Sequence, residues 1–128
     1  MNAHILVDTD IAIDFLRGNR QALAYFKKES EAICFSVVTV AEIHAGVRNK
    51  KEEAEIERLF SVFPVADVTR EIAREAGRLV GMYHSSHSVE IPDAIVAATC
   101  LVSGLRLHTL NTRHYPMFKD LLPPFRKQ

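Results

Sequence analysis

Four short apolar runs, separated by stretches of helical periodicity, restrict this chain to few architectures. The runs are His4-Ile5-Leu6-Val7, Ile33-Cys34-Phe35, Val65-Ala66-Asp67-Val68 and Leu105 to Leu110. Strands that alternate with helices imply right-handed crossovers, and hence a parallel sheet covered by helices on both faces. The apolar residues over 11–16 predict a short helix closed by Gly18, and Ala22, Leu23, Tyr25 and Phe26 a second one ending at Lys27-Lys28. Ser36 and Thr39 are N-cap candidates for a third, which carries Val40, Ile43, Ala45 and Val47. Residues 50–60 separate a charged face from Ile56, Leu59 and Phe60, and Pro64 ends that helix. Ile72, Ala76, Leu79, Val80 and Tyr83 recur at steps of three and four and predict a helix over 70–84. The polar stretch His84 to Ser88 interrupts it as a loop. Pro92 opens a last helix, which stops at Gly104, and the tail Leu121 to Phe125 is expected to add an edge strand. The reading is an α/β chain with a sheet of four to five short strands, in one domain over residues 1–128.

Composition excludes other classes. Of 128 residues, 16 are Lys or Arg and 16 are Asp or Glu, so the formal net charge is zero. A protein that coats nucleic acid by bulk attraction would be strongly basic; a local nucleic-acid site is compatible with zero net charge. No apolar run reaches the roughly 18–20 residues that span a bilayer. The stretch Met1 to Leu6 lacks the basic and apolar regions of a signal peptide, so a cytoplasmic location is expected. Cys34 and Cys100 lie far apart in apolar segments and are expected to be buried, reduced thiols.

In open parallel sheets, sites form beyond the carboxyl ends of the strands, and three carboxylates fall at such places. Asp8 follows the first strand, Glu42 lies early in the helix after the second, and Asp93 lies at the start of the helix before the fourth. Apolar neighbours flank all three. A carboxylate drawn towards the interior needs a partner there. Two of them about 4 Å apart repel by several kcal/mol at an effective dielectric near 20, and Mg²⁺ relieves that repulsion while retaining sites for water and phosphate oxygen. Each acid also has a local explanation. Asp8 fits an Asx turn, Glu42 the capping-box partner of Thr39, and Asp93 a helix-dipole complement.

The run Asp8-Thr9-Asp10-Ile11-Ala12-Ile13-Asp14 is similar to two other motifs. One is the D-x-D nucleophile motif of haloacid-dehalogenase-like phosphatases, and the other is the calcium motif of nucleoside hydrolases. Both families need longer chains. Asp14 sits among Ile13, Phe15 and Leu16 and is expected on the solvated face of its helix.

Taken together, four segments resemble the PIN-domain ribonucleases, specifically the VapC-type toxins of toxin–antitoxin pairs. They are Leu6 to Gly18, Ser36 to Arg48, Pro92 to Thr99 and Leu107 to Met117, in the family's order and at its spacing. The resemblance implies a three-layer, Rossmann-like PIN fold. It also implies Mg²⁺- or Mn²⁺-dependent endonucleolytic cleavage of RNA that leaves a 5′-phosphate and a 3′-hydroxyl. Asp8 and Asp93 carry over as metal ligands, with Glu42 as a third acid that binds metal directly or through water. Thr9 and Thr109 match hydroxyl positions that orient the ligands, and Asn111 matches a polar position at the rim. Many PIN domains carry a fourth acid in an Asn-x-x-Asp-Phe pattern. Here Asn111-Thr112-Arg113-His114-Tyr115 places His114 there, a poorer Mg²⁺ ligand that is expected to contact phosphate or pack beside Tyr115. Asp10 is the nearby acid that would compensate.

Arg17, Arg48 and Arg113 lie inside the resembling segments and are the expected phosphate contacts. Further basic clusters, including Lys119, Arg126 and Lys127, surround them. The resemblance implies a homodimer silenced by a small antitoxin, with Phe15, Leu16, Tyr25 and Phe26 as groove or dimer candidates. His44 is expected to pack beside Glu42, and His84 with His87 to be uninvolved in metal binding. Two rival readings differ in class: a catalytically weak PIN domain that binds RNA or protein, and a small Mg²⁺-dependent phosphatase using Asp8 and Asp10. No feature of the sequence names the RNA.

Overall fold

The computed structural model describes residues 2–126. Its elements run β1 (Ile5–Val7), α1 (Thr9–Leu16), α2 (Arg20–Glu29), β2 (Ile33–Ser36), α3 (Val37–Ala45), α4 (Lys50–Val62), β3 (Val65–Ala66), α5 (Arg70–His87), α6 (Ile91–Ser103) and β4 (Arg106–His108). A 3-10 turn, Thr112–His114, follows. The sheet has four parallel strands in the order β3-β2-β1-β4. Ile5 pairs with Ile33 on one side and Arg106 on the other, and Leu6 with Cys34 and Leu107.

Strand alternation divides the core into two layers, because successive side chains point to opposite faces. Ile5, Val7, Ile33 and Phe35 face α1 to α4, where Tyr25, Phe26, Ile56 and Leu59 close over them. Leu6, Cys34 and Leu107 face α5 and α6, against Ile72, Leu79, Val96 and Cys100. The sheet therefore lies between two helical layers. Both cysteines are buried with free thiols. Among the described residues, no helix is long and apolar enough to cross a membrane.

The chain enters the sheet at β1, winds outward through β2 and β3, and returns to place β4 on the other side of β1. The strand order thus reverses between β1 and β4, which opens a crevice at their carboxyl ends. The backbone joins there, where Asp8 N–H donates to the His108 carbonyl at 3.0 Å. Gly104 delivers the chain into β4 from α6 with φ +69, a left-handed conformation. An L side chain there costs roughly 1–2 kcal/mol. Gly104→Ala is therefore expected to lower unfolding stability by about 1 kcal/mol, read as a lower urea midpoint at unchanged slope.

Several expectations are corrected. The tail forms no strand between Leu121 and Phe125. Pro123 and Pro124 have no N–H to donate to a ladder, and Phe125 instead packs on the Tyr25 ring at 5.5 Å. The third strand is only Val65–Ala66. Helix α5 does not break at His84. It runs to His87 and ends where Ser88 turns left-handed and donates its N–H to the His84 carbonyl. Ser36 caps α3, and Thr39 lies inside that helix. Asp14 is buried rather than solvated, because α1 is covered by α2 on one side and α3 on another. His44 faces α4, with Nε2 3.3 Å from Glu57. Lys127 lies outside the described residues.

Candidate active site

Asp8 is the first residue beyond β1, and its backbone is fixed by β4. Its side chain caps α1, accepting the Thr9 N–H at 2.9 Å through Oδ1. Its other oxygen, Oδ2, accepts two hydroxyls at 2.8 Å each, from Thr109 beyond β4 and from Tyr115 in the closing segment. Asp93 lies in the first turn of α6, where Pro92 fits the first-turn geometry. Its Oδ1 is 3.3 Å from the Tyr115 hydroxyl and its Oδ2 is 3.3 Å from His114 Nδ1. Glu42 is solvent-exposed on α3, but it is not a capping-box partner. Its Oε1 accepts the Thr9 hydroxyl at 2.7 Å, and Thr9 in turn meets the Thr39 hydroxyl at 2.9 Å.

These groups line one open cleft. Asp8, Asp10, Glu42, Glu90 and Asp93 all contribute to it, with Thr9, Asn111, His87 and His114. Five of the lining residues are acids and none is Lys or Arg. The crowding registers in the acids themselves. Burial, then the charge on Asp8, raises the Asp93 carboxyl above its ordinary range, and His114 partly offsets this. The same two causes push Asp10 up to about 6. Burial and then the neighbouring acids hold the Tyr115 phenol far above its ordinary value, so it is an O–H donor at neutral pH.

The sequence expectations meet this geometry unevenly. Asp8, Glu42 and Asp93 come together, with Thr109 on Asp8; Thr9 turns its hydroxyl to Glu42 rather than to Asp8. Asp10 lines the cleft, while its oxygens accept the Ile11 N–H at 2.8 Å and the Leu110 N–H at 2.9 Å, tying α1 to the closing segment. His114 contacts Asp93. Arg17 and Arg48 do not line the acidic cleft. They line an adjoining groove that meets it at Ile13 and Glu42, and Arg48 forms a bidentate pair with Glu52, at 2.7 Å for Nη2. Arg113 is exposed on the 3-10 turn. Phe15, Leu16 and Phe26 border a more apolar groove with Leu23, Leu59, Val62 and Phe63, whereas Tyr25 is buried and does not line it. Sequence reasoning missed Tyr115, Thr39, His87 and Glu90. A phenol hydroxyl at the head of the apolar run Pro116-Met117-Phe118 is the signal the sequence offers for Tyr115.

The acids do not form a closed cage. Among the described residues, no group of three or more His, Cys, Asp or Glu side chains is placed to enclose an ion. The donor chemistry nonetheless fits a hard divalent cation, because the convergent groups are carboxylate oxygens facing an open cleft. A carboxylate offers about four acceptor positions. Asp8 uses three on Thr9, Thr109 and Tyr115, and Asp93 uses two on Tyr115 and His114. Both retain capacity for a cation.

A family model described as the PIN domain matches residues 5–118. The chain belongs to the PIN-domain family. Within it, the chain is 44% identical to ribonuclease VapC19 of Mycobacterium tuberculosis over 124 residues, covering 94% of this chain and 98% of the relative. It is 42% identical to ribonuclease VapC10 of the same organism over 125 residues, covering 94% and 92%. A solved toxin–antitoxin complex from Klebsiella pneumoniae contains a chain of the same fold. Its TM-score is 0.77 at 25% identity, over 94% of this PIN domain and 98% of that chain. DNA-bound VapBC from Salmonella typhimurium shares the fold at TM-score 0.77 and 20% identity, over 88% and 90%. The whole-length match replaces the phosphatase and nucleoside-hydrolase readings of the Asp8 to Asp14 run.

Proposed function

We propose that this PIN domain is a divalent-metal-dependent endoribonuclease and the toxin of a toxin–antitoxin pair. The observation that carries the metal dependence is the cleft's charge. Five acids line it with no Lys or Arg among them, so a phosphodiester enters only with cations that neutralise both sides. Asp8 and Asp93 would hold Mg²⁺ or Mn²⁺, with Glu42 binding directly or through water. When bound, the metal lowers the pKa of a water and neutralises charge on the attacked phosphate and the departing oxygen. The chain's own residues do the positioning. Thr109 and Tyr115 orient Asp8, Thr9 orients Glu42, and Asn111 and His87 stand at the rim to meet the nucleotide.

The ribonuclease names of the relatives support RNA as the substrate. The toxin–antitoxin complex with the shared fold supports a cognate antitoxin. Three clefts adjoin in sequence on this side of the molecule. An apolar groove around Phe15, Leu23 and Val62 meets the Arg17/Arg48 groove at Leu16 and Glu55, and that groove meets the acidic cleft at Ile13 and Glu42. An antitoxin segment with apolar residues followed by a basic one matches that order. The same reading has the protein acting as a cytoplasmic homodimer. Arg17 and the exposed Arg113 are the cations available to flanking phosphates, since Arg48 is engaged by Glu52.

One observation favours a second reading. His114 occupies one face of Asp93, which suits a catalytically weak domain that binds RNA without cutting it. Antitoxin-free protein incubated with structured RNA separates the two. Cleavage that requires Mg²⁺ or Mn²⁺ and stops with a chelator is the expected result, and metal-independent binding without cleavage would favour the second reading.

A further inference from the structure

Tyr115 is 1% exposed, packed among Leu107, Phe118 and the α6 residues, yet its hydroxyl is placed between two acids. It donates to Asp8 Oδ2 at 2.8 Å and lies 3.3 Å from Asp93 Oδ1. A single O–H shared in this way is a three-centre bond. It joins two carboxylates that otherwise only repel each other and that lie far apart in the sequence, one after β1 and one in α6. We infer that Tyr115 is a positioning residue of the acidic site, whose bridging hydroxyl sets the separation of Asp8 and Asp93 and turns their remaining lone pairs towards the cleft.

A ring that only filled space would need no hydroxyl, and burying one without a partner is unfavourable. Here the hydroxyl has partners, both of them acids of the site. Thr109 approaches the same Asp8 oxygen at 2.8 Å, so Oδ2 is directed inward by two donors and Oδ1 is the oxygen left with capacity to face the cleft. Outer-shell partners of this kind are typically worth about 10- to 100-fold in metal affinity.

The inference rests on the metal reading above, and one experiment tells their failures apart. Mn²⁺ is titrated calorimetrically, without RNA, into the full chain and into Tyr115→Phe, with circular dichroism to establish the fold. The expected result is a folded variant that binds Mn²⁺ about tenfold or more weakly than wild type. Equal affinity would reduce Tyr115 to packing and overturn the inference. Failure of the wild type itself to bind Mn²⁺ would overturn the metal reading, and this inference with it. A second readout needs no variant. The chain has three tyrosines and no tryptophan, and among the described residues Tyr115 is the one of the three whose hydroxyl bonds Asp8 and Asp93. Mn²⁺ binding to wild type is therefore expected to give a tyrosine difference absorbance, and binding without one would also overturn the inference.

Discussion

An Asp93→Asn variant is expected to lose RNA cleavage by about a thousandfold while melting close to wild type. A metal at a phosphoryl centre supplies several kcal/mol of charge stabilisation, and each 1.36 kcal/mol is about tenfold in rate. Asp93 is one of the two acids proposed to hold that metal, and an amide there is a neutral, weaker ligand. Stability changes little because the losses and gains are small and opposed. Asn keeps an oxygen for the Tyr115 hydroxyl. It loses the exposed contact with His114, worth roughly 0–1 kcal/mol, and some helix-dipole stabilisation of about 0.5 kcal/mol. It also removes a carboxylate that burial and Asp8 have already made harder to ionise. Single-turnover cleavage at saturating Mg²⁺, beside a thermal melt, measures both quantities. Cleavage within a few-fold of wild type would remove Asp93 from the metal site.

Asp8→Ala is expected to be equally inactive but destabilised, by about 3 kcal/mol. Asp8 is buried and accepts from three donors, the Thr9 N–H, Thr109 and Tyr115. Losing the helix cap costs about 1 kcal/mol, and each buried hydroxyl left without a partner costs about 1–3 kcal/mol. Thr109 can turn to Asp10 at 3.4 Å and Tyr115 to Asp93 at 3.3 Å, which keeps the total near the lower end. Relief of repulsion on Asp10 and Asp93 offsets part of it. Urea unfolding of metal-free protein measures the difference, and the contrast with Asp93→Asn is the informative result. The two acids share one proposed chemical role but differ in structural weight, because one is a buried cap and the other is half-exposed on a helix.

The parts of the site that were legible in the sequence are those fixed locally. Asp8, Glu42 and Asp93 stand out because each follows a strand or opens a helix, and strand and helix periods are read over a few residues. The strand β1 and the boundary at Gly104 were legible for the same reason. Asp14 was misread because solvation of a helix face depends on what packs against it, and α1 is enclosed on more sides than its own pattern reveals. The His84 to Ser88 stretch was misread because a polar composition ends a helix only if the backbone also finds a cap, which Ser88 supplies one turn later. The Thr39-Val40-Ala41-Glu42 spacing suggested a capping box, but Glu42 found a donor 33 residues away, in Thr9.

An alternating α/β chain, first and second strands that are apolar on both faces, and acids at the carboxyl ends where a parallel sheet places its sites were all written in the sequence. The resemblance already placed Thr109 beside Asp8, but that Tyr115 completes Asp8 and Asp93 follows from the fold alone. A hydroxyl carries no periodic signal, and its partner is whatever the fold brings within 3 Å. The Tyr115 hydroxyl meets Asp8 across 107 positions and Asp93 across 22, because β4 returns beside β1 at the point where the strand order reverses. The basic residues stay outside the acidic cleft, a separation of charge that a net charge of zero conceals.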